Sequence, residues 1–128
     1  MNILGVDFGT KRIGLAWVNK EIGVVLPYGQ IRGADREEMM LKLAKFILNE
    51  KIDKVVFGLP LSLVGEESSN SRRVRDFVDE LKKNINVPIE FYDERYSSFA
   101  ADQMEGGATR DEKAAMIILQ DYLEAEEK

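Results

Sequence analysis

From Asn2 to Asp7 the chain is apolar at nearly every position, and it then breaks at Phe8-Gly9-Thr10-Lys11. A short apolar run closed by a glycine turn predicts a buried strand. Ile13 to Val18 repeats the pattern close enough to form a hairpin with it. Val24 to Ile31 predicts a third strand, in which Pro27 favours a sheet edge or a bulge. Asp35 with Glu38 three residues on signals a helix start, and Met40, Leu43, Ala44 and Ile47 follow at helical spacing. Lys54 to Leu59 predicts a short strand ended by Pro60. Ser62 to Ser71, rich in Ser, Gly and Glu, predicts a loop. Val74, Phe77, Val78 and Leu81 mark the inner face of a second helix. Pro88 precedes a strand at Ile89 to Tyr92, and Ser97 to Met104 predicts a short helix. Gly106-Gly107 interrupt the chain before a last helix, where Thr109 and Glu112 form a capping box and Ala115, Ile118, Leu119 and Tyr122 face inward.

The order of elements is three strands, helix, strand, helix, strand, then helices. An antiparallel meander followed by alternating units predicts an α/β fold, a mixed sheet with helices on both faces. The length of 128 residues fits one domain spanning residues 1–128, since domains most often run to roughly 100–150 residues. No internal repeat, low-complexity tract or linker divides it. The apolar run before Asp7 is too short for a signal segment. No stretch reaches the roughly 18 apolar residues of a spanning helix. A cytoplasmic location without membrane contact is the expectation. Frequent Lys and Glu with no Cys would also suit a thermophile.

Composition narrows the chemistry. Histidine and cysteine are both absent, which removes a histidine base, a thiolate nucleophile and a nitrogen–sulfur zinc site. Oxygen ligands remain, and they suit Mg2+ or Mn2+. The net charge is −5, but it is concentrated at one end. Residues 111–128 hold six acids against two lysines, leaving 17 acids and 16 bases elsewhere. A broad basic surface for nucleic acid is therefore excluded, whereas selective contact through a few arginines beside a metal is not.

Three acidic stretches lie at element edges: Asp7 before its glycine turn, Asp93-Glu94-Arg95 after a strand, and Asp111-Glu112 at the start of the last helix. Asp7 reads as a turn aspartate or as a metal ligand on a buried strand. Its Asp-Phe-Gly-Thr context also resembles the phosphate hairpin of actin-like ATPases and sugar kinases. Those folds need two domains and far more chain. Asp93 and Glu94 read as solvated charge or as a source of one ligand, because successive strand residues face opposite ways. Which of the two acids that is stays open. Arg95 beside them has the planar fork that suits a phosphate. Asp111 in a first helical turn complements the dipole. It also shares the stripe of Ala115 and Ile118, where a carboxylate must be paired or hold a cation, and this favours the ligand reading. Lys11 and Arg12 can meet a phosphate or simply tip a hairpin. Arg72, Arg73 and Arg75 oppose the dipole of their helix, so either a nucleic-acid backbone or Glu66 and Glu67 would partner them. Trp17 and Tyr28 read as core aromatics.

Four blocks together resemble the YqgF (RuvX) family, whose members are described as Holliday junction resolvases and as pre-16S ribosomal RNA nucleases. They are Gly5-Val6-Asp7-Phe8-Gly9-Thr10-Lys11-Arg12-Ile13-Gly14-Leu15-Ala16, then Val56-Phe57-Gly58-Leu59-Pro60-Leu61, then Asp93-Glu94-Arg95-Tyr96-Ser97-Ser98, then Asp111 with Ala114-Ala115-Met116-Ile117-Ile118-Leu119-Gln120. They run in the family's order over nearly the whole chain. Two features depart from the family's pattern: Ser97-Ser98 replaces Ser/Thr-Thr, and the segment from Ser98 to Asp111 is shorter. The resemblance implies a ribonuclease-H-like fold and a nuclease using one or two Mg2+ or Mn2+ ions held by Asp7, Glu94 and Asp111. Lys11, Arg12, Arg95 and Ser97 would hold substrate. The expected partner is pre-ribosomal RNA, with branched DNA as the alternative substrate, a non-catalytic RNA- or ribosome-binding module as the other reading, and a homodimer as one allowed assembly.

Overall fold

The computed structural model describes residues 1–60, 66–93 and 106–126. Five strands form one sheet: β1 (Asn2–Phe8), β2 (Arg12–Asn19), β3 (Val25–Arg32), β4 (Lys54–Leu59) and β5 (Ile89–Asp93), in the order β3-β2-β1-β4-β5. The β1/β2 and β2/β3 pairs are antiparallel, while β1/β4 and β4/β5 are parallel. This is the mixed sheet expected from the order of elements. β1 occupies the centre, which explains its unbroken apolar run: its two faces are both covered. Leu4 and Val6 enter the core beneath α1 (Arg36–Asn49) and α2 (Ser69–Lys82). Ile3 enters the other core, with Ala115, Ile118, Leu119 and Tyr122 of α3 (Arg110–Glu126).

The helices begin where side-chain acceptors can meet their free N–H groups. In α1 the Asp35 carboxylate accepts from Glu38 N–H at 2.8 Å. Glu38 reaches back to Ala34 N–H at 2.6 Å. In α3 Thr109 and Glu112 exchange bonds as a capping box, Glu112 N–H to the Thr109 hydroxyl at 3.2 Å and Thr109 N–H to Glu112 at 3.0 Å. The expected loop from Ser62 to Ser71 is corrected at its end, because α2 already begins at Ser69. Its capping box uses Ser68 and Ser71. A serine in place of Glu or Gln at the third position hid that signal from the pattern. The short helix expected at Ser97–Met104 lies outside the described residues.

At the edge strand β3 the register with β2 slips between Gly14 and Ala16: Gly14 faces Gln30, yet Ala16 faces Pro27. Leu15 therefore opposes both Tyr28 and Gly29, a β-bulge of the kind Pro27 foreshadowed. Gly29 takes φ +99°, and a β-carbon there would strain the backbone although none of the described residues crowds it. Trp17 and Tyr28 pack ring to ring at 5.9 Å against the core, as expected.

Candidate active site

The site is built where the first turn of α3 lands on the sheet. A β-carbon on Gly5 would lie 2.5 Å from Leu119 Cγ and 2.9 Å from the Ala115 carbonyl, so Gly5 faces α3. Strand alternation places Ile3 and Asp7 on that same face. Asp7 pairs across the ladder with Gly14. A β-carbon on Gly14 would lie only 2.1 Å from the Asp111 carbonyl oxygen and 2.8 Å from Asp111 Cβ. Gly14 is thus a landing point that only glycine permits, with Asp7 beside it and Asp111 stacked on it. Neighbouring β-carbons across a ladder sit about 4.5–5.5 Å apart, so the β-carbons of Asp7 and Asp111 lie within about 8 Å of each other. Two of the three acidic stretches come together at the end of the central strand.

Asp111 is held on one oxygen. Its Oδ2 pairs with Arg12 Nε at 3.0 Å and accepts from Gln30 Nε2 at 2.9 Å. Its side chain retains 24% exposure. The pairing required for a carboxylate on the inner stripe is therefore present. Glu112 anchors the same turn: beyond its capping bonds it accepts from the Gly29 N–H at 2.8 Å. Burial raises the Glu112 carboxyl, but the hydrogen bonds from Thr109 and Gly29 outweigh it and hold it below the usual glutamate range.

Two open grooves flank the Asp7 hairpin. One, of about 620 Å³, runs along Gly9–Arg12 with Arg32 and Asp111, so Lys11, Arg12 and Arg32 line it against a single acid. The other, of about 280 Å³, runs from Asp7 and Thr10 to Pro60, Asn70 and Arg73 at the start of α2. Of the three arginines of α2, Arg75 is engaged by Glu67 through two bonds at 2.8 and 3.1 Å and lies over the Phe91 ring. Its helix-dipole conflict is thus met within the chain. Arg73 donates a long bond to Asn70 at 3.5 Å and lines the second groove.

On β5, Ile89 and Phe91 pack against the core beneath α1 and α2, whereas Tyr92 packs against the α3 core. Alternation puts Asp93 with Ile89 and Phe91, on the face opposite to Asp7. Glu94, Arg95 and Ser97 lie outside the described residues. Among the described residues no group of three acids is close enough to hold a metal. Asp7 and Asp111 supply hard oxygen donors alone, a donor set that fits Mg2+ or Mn2+. Sequence reasoning missed Gln30 and Arg32, which sit on an edge strand with no motif around them. Pro27 and Gly29 were the available signal, since together they mark an irregular strand.

A family model described as "RuvX: Holliday junction resolvase" matches residues 1–125. A protein of Maridesulfovibrio salexigens named "Putative pre-16S rRNA nuclease" is 39% identical, over 96% of this chain and 98% of its own. One of the same name from Chloroflexus aggregans is 36% identical, over 96% and 93%. Among solved structures, T. thermophilus RuvC in complex with Holliday junction substrate aligns with a TM-score of 0.69 at 13% identity, covering 99% of this chain and 96% of that one. The fowlpox virus Holliday junction resolvase aligns with a TM-score of 0.65 at 16% identity, over 98% and 99%. The sheet and its helices therefore form the ribonuclease-H-like α/β fold of the RuvC resolvases.

Proposed function

Because the chain belongs to the RuvX family of Holliday junction resolvases, we propose that it is a metal-dependent nuclease that processes the 5′ end of pre-16S ribosomal RNA. The observation that carries this reading is the meeting of Asp7 and Asp111 over Gly14, beside a groove lined by Lys11 and Arg12. The name shared by the relatives at 36–39% identity supports the substrate.

In this reading Asp7, Glu94 and Asp111 hold one or two Mg2+ or Mn2+ ions. Asp93 belongs to the face of β5 opposite to Asp7, which supports Glu94 rather than Asp93 as the third ligand. Bound metal supplies an acidified water for attack and charge stabilisation at the leaving oxygen. The chain itself does the positioning. Lys11 and Arg12 offer cations along the groove on the α3 side of the hairpin, and in this reading Arg95 and Ser97 would add contacts to backbone phosphate. A few cations gathered at this groove fit a chain whose net charge is −5 and which has no broad basic surface.

Cleavage of a four-way DNA junction is the second reading, favoured by the family's description and by the RuvC-like fold. Resolving a junction needs two cuts and hence two sites, which ties that reading to a homodimer; trimming an RNA end needs one site. A non-catalytic RNA-binding module is the third. Matched RNA precursors and four-way junctions incubated with Mg2+ or Mn2+ separate them, with Asp7→Asn as control. Metal-dependent RNA cleavage lost in Asp7→Asn supports the proposal. Junction cleavage by a dimer supports the second reading. Binding without cleavage of either substrate overturns the nuclease.

A further inference from the structure

The bulge at Tyr28–Gly29 decides which way Gln30 points. Before the bulge, Val25 and Pro27 pair with Val18 and Ala16 on the α3 face of the sheet, and Tyr28 turns to the other face, against Phe46. Plain alternation would then send Gln30 to the α1 face and Ile31 towards α3. The extra residue reverses both. Ile31 enters the core beneath α1, and Gln30 faces α3 as the partner of Gly14. There its amide is used at both ends: Nε2 donates to Asp111 Oδ2 at 2.9 Å and to the Thr109 hydroxyl at 3.2 Å, while Oε1 accepts from Arg32 at 3.4 Å. The bulge residue itself donates to Glu112. One irregular stretch of edge strand therefore grips the residues on both sides of the α3 start.

We infer that Gln30 is a positioning residue for Asp111: the Gly29 bulge aims its amide so that it fixes one oxygen of the carboxylate and turns the other towards Asp7. The inference rests on the proposed role of Asp111 as a metal ligand. The same oxygen already carries the Arg12 guanidinium at 3.0 Å, and a neutral amide orients the carboxylate without adding to the charge that a cation must overcome. Partners of this kind, behind a ligand, typically change metal affinity or activity by about 10- to 100-fold when removed. A strut that only secured the helix would move stability and leave metal affinity alone.

The test follows the full-length chain by NMR and calorimetry, with no substrate present. In the wild type, the Gln30 side-chain amide resonances shift along the same Mg2+ titration that calorimetry records. Gln30→Met, which keeps length and loses the donor, weakens Mg2+ binding roughly 10- to 100-fold at an unchanged fold by amide spectrum. Resonances that stay still while Mg2+ binds, or a Gln30→Met protein that binds Mg2+ like the wild type, overturn the role of Gln30 and leave the metal site standing. No Mg2+ binding by the wild type overturns the metal reading and this inference together. The wild-type resonances keep the test decisive even where a variant fails to fold.

Discussion

Gly14→Ala puts the geometry of the site at risk through a single methyl group. The added carbon would stand 2.1 Å from the Asp111 carbonyl oxygen, 2.4 Å from its carbonyl carbon and 2.8 Å from its Cβ. All but the last are backbone atoms, so no side chain can swing aside. Reaching ordinary contact requires the first turn of α3 to lift by about 1 Å. That turn is tied by Glu112 to Gly29 at 2.8 Å and by Asp111 to Gln30 at 2.9 Å, and Ala115 is seated on Gly5 one turn later. Overpacking of this kind costs about 1–3 kcal/mol. The loss of glycine freedom in the unfolded chain returns roughly 0.4–1 kcal/mol. A net loss of about 1–2 kcal/mol is expected in urea unfolding. A ligand displaced by about 1 Å lowers cleavage about 100-fold in the folded fraction. Gly107→Ala is the control: among the described residues nothing lies within 4 Å of its would-be β-carbon, and no left-handed φ is required there. If Gly14→Ala unfolds and cleaves like Gly107→Ala, α3 does not rest on β2 and the site argument fails.

Three further expectations test other parts of the structure. Asp111→Asn loses metal-dependent cleavage but shifts unfolding free energy by under about 1 kcal/mol, because its partner Arg12 is half exposed; a large loss of stability with cleavage intact would make Asp111 a structural strut. Glu112 is held below its ordinary carboxyl range, so it stabilises the fold above roughly pH 4.5 and that contribution is lost as pH falls through the lowered value. Glu112→Gln should therefore flatten the acid limb of stability against pH, and an unchanged limb refutes the assignment. Tyr122→Phe removes a hydroxyl that donates to Glu90 and accepts from Lys54 at 3.0 Å, while Lys54 keeps its ion pairs to Glu90 and Glu126 at 3.6 and 3.8 Å. It should cost about 0.5–1.5 kcal/mol and leave cleavage by the folded protein unchanged, since Lys54 and Glu90 lie at the starts of β4 and β5, remote from Asp7. Reduced cleavage at full folding would show that this end of the sheet communicates with the site.

Periodicity, caps and turns were enough to place the strands, α1, the body of α2 and α3. The period-2 and period-3.6 patterns record which face each element buries, and burial is a local demand on composition. The unbroken apolar run of β1 announced a central strand in the same way, since both of its faces are covered. The absence of histidine and cysteine, together with acids at element edges, narrowed the chemistry to oxygen ligands before any coordinates. Other features depend on contacts between distant segments, and no local pattern encodes them. Gly14 reads as an ordinary strand glycine until α3 is set against it, 97 residues further on at Asp111. Gln30 is an unremarked polar residue until a one-residue slip in the β2/β3 register turns it towards α3. Asp93 was an open ligand candidate because strand parity becomes a choice of face only when its neighbours are packed: Phe91 beneath α1 and α2, Tyr92 against α3. The residues and their chemistry are thus written along the chain, whereas register and helix docking decide which of them meet.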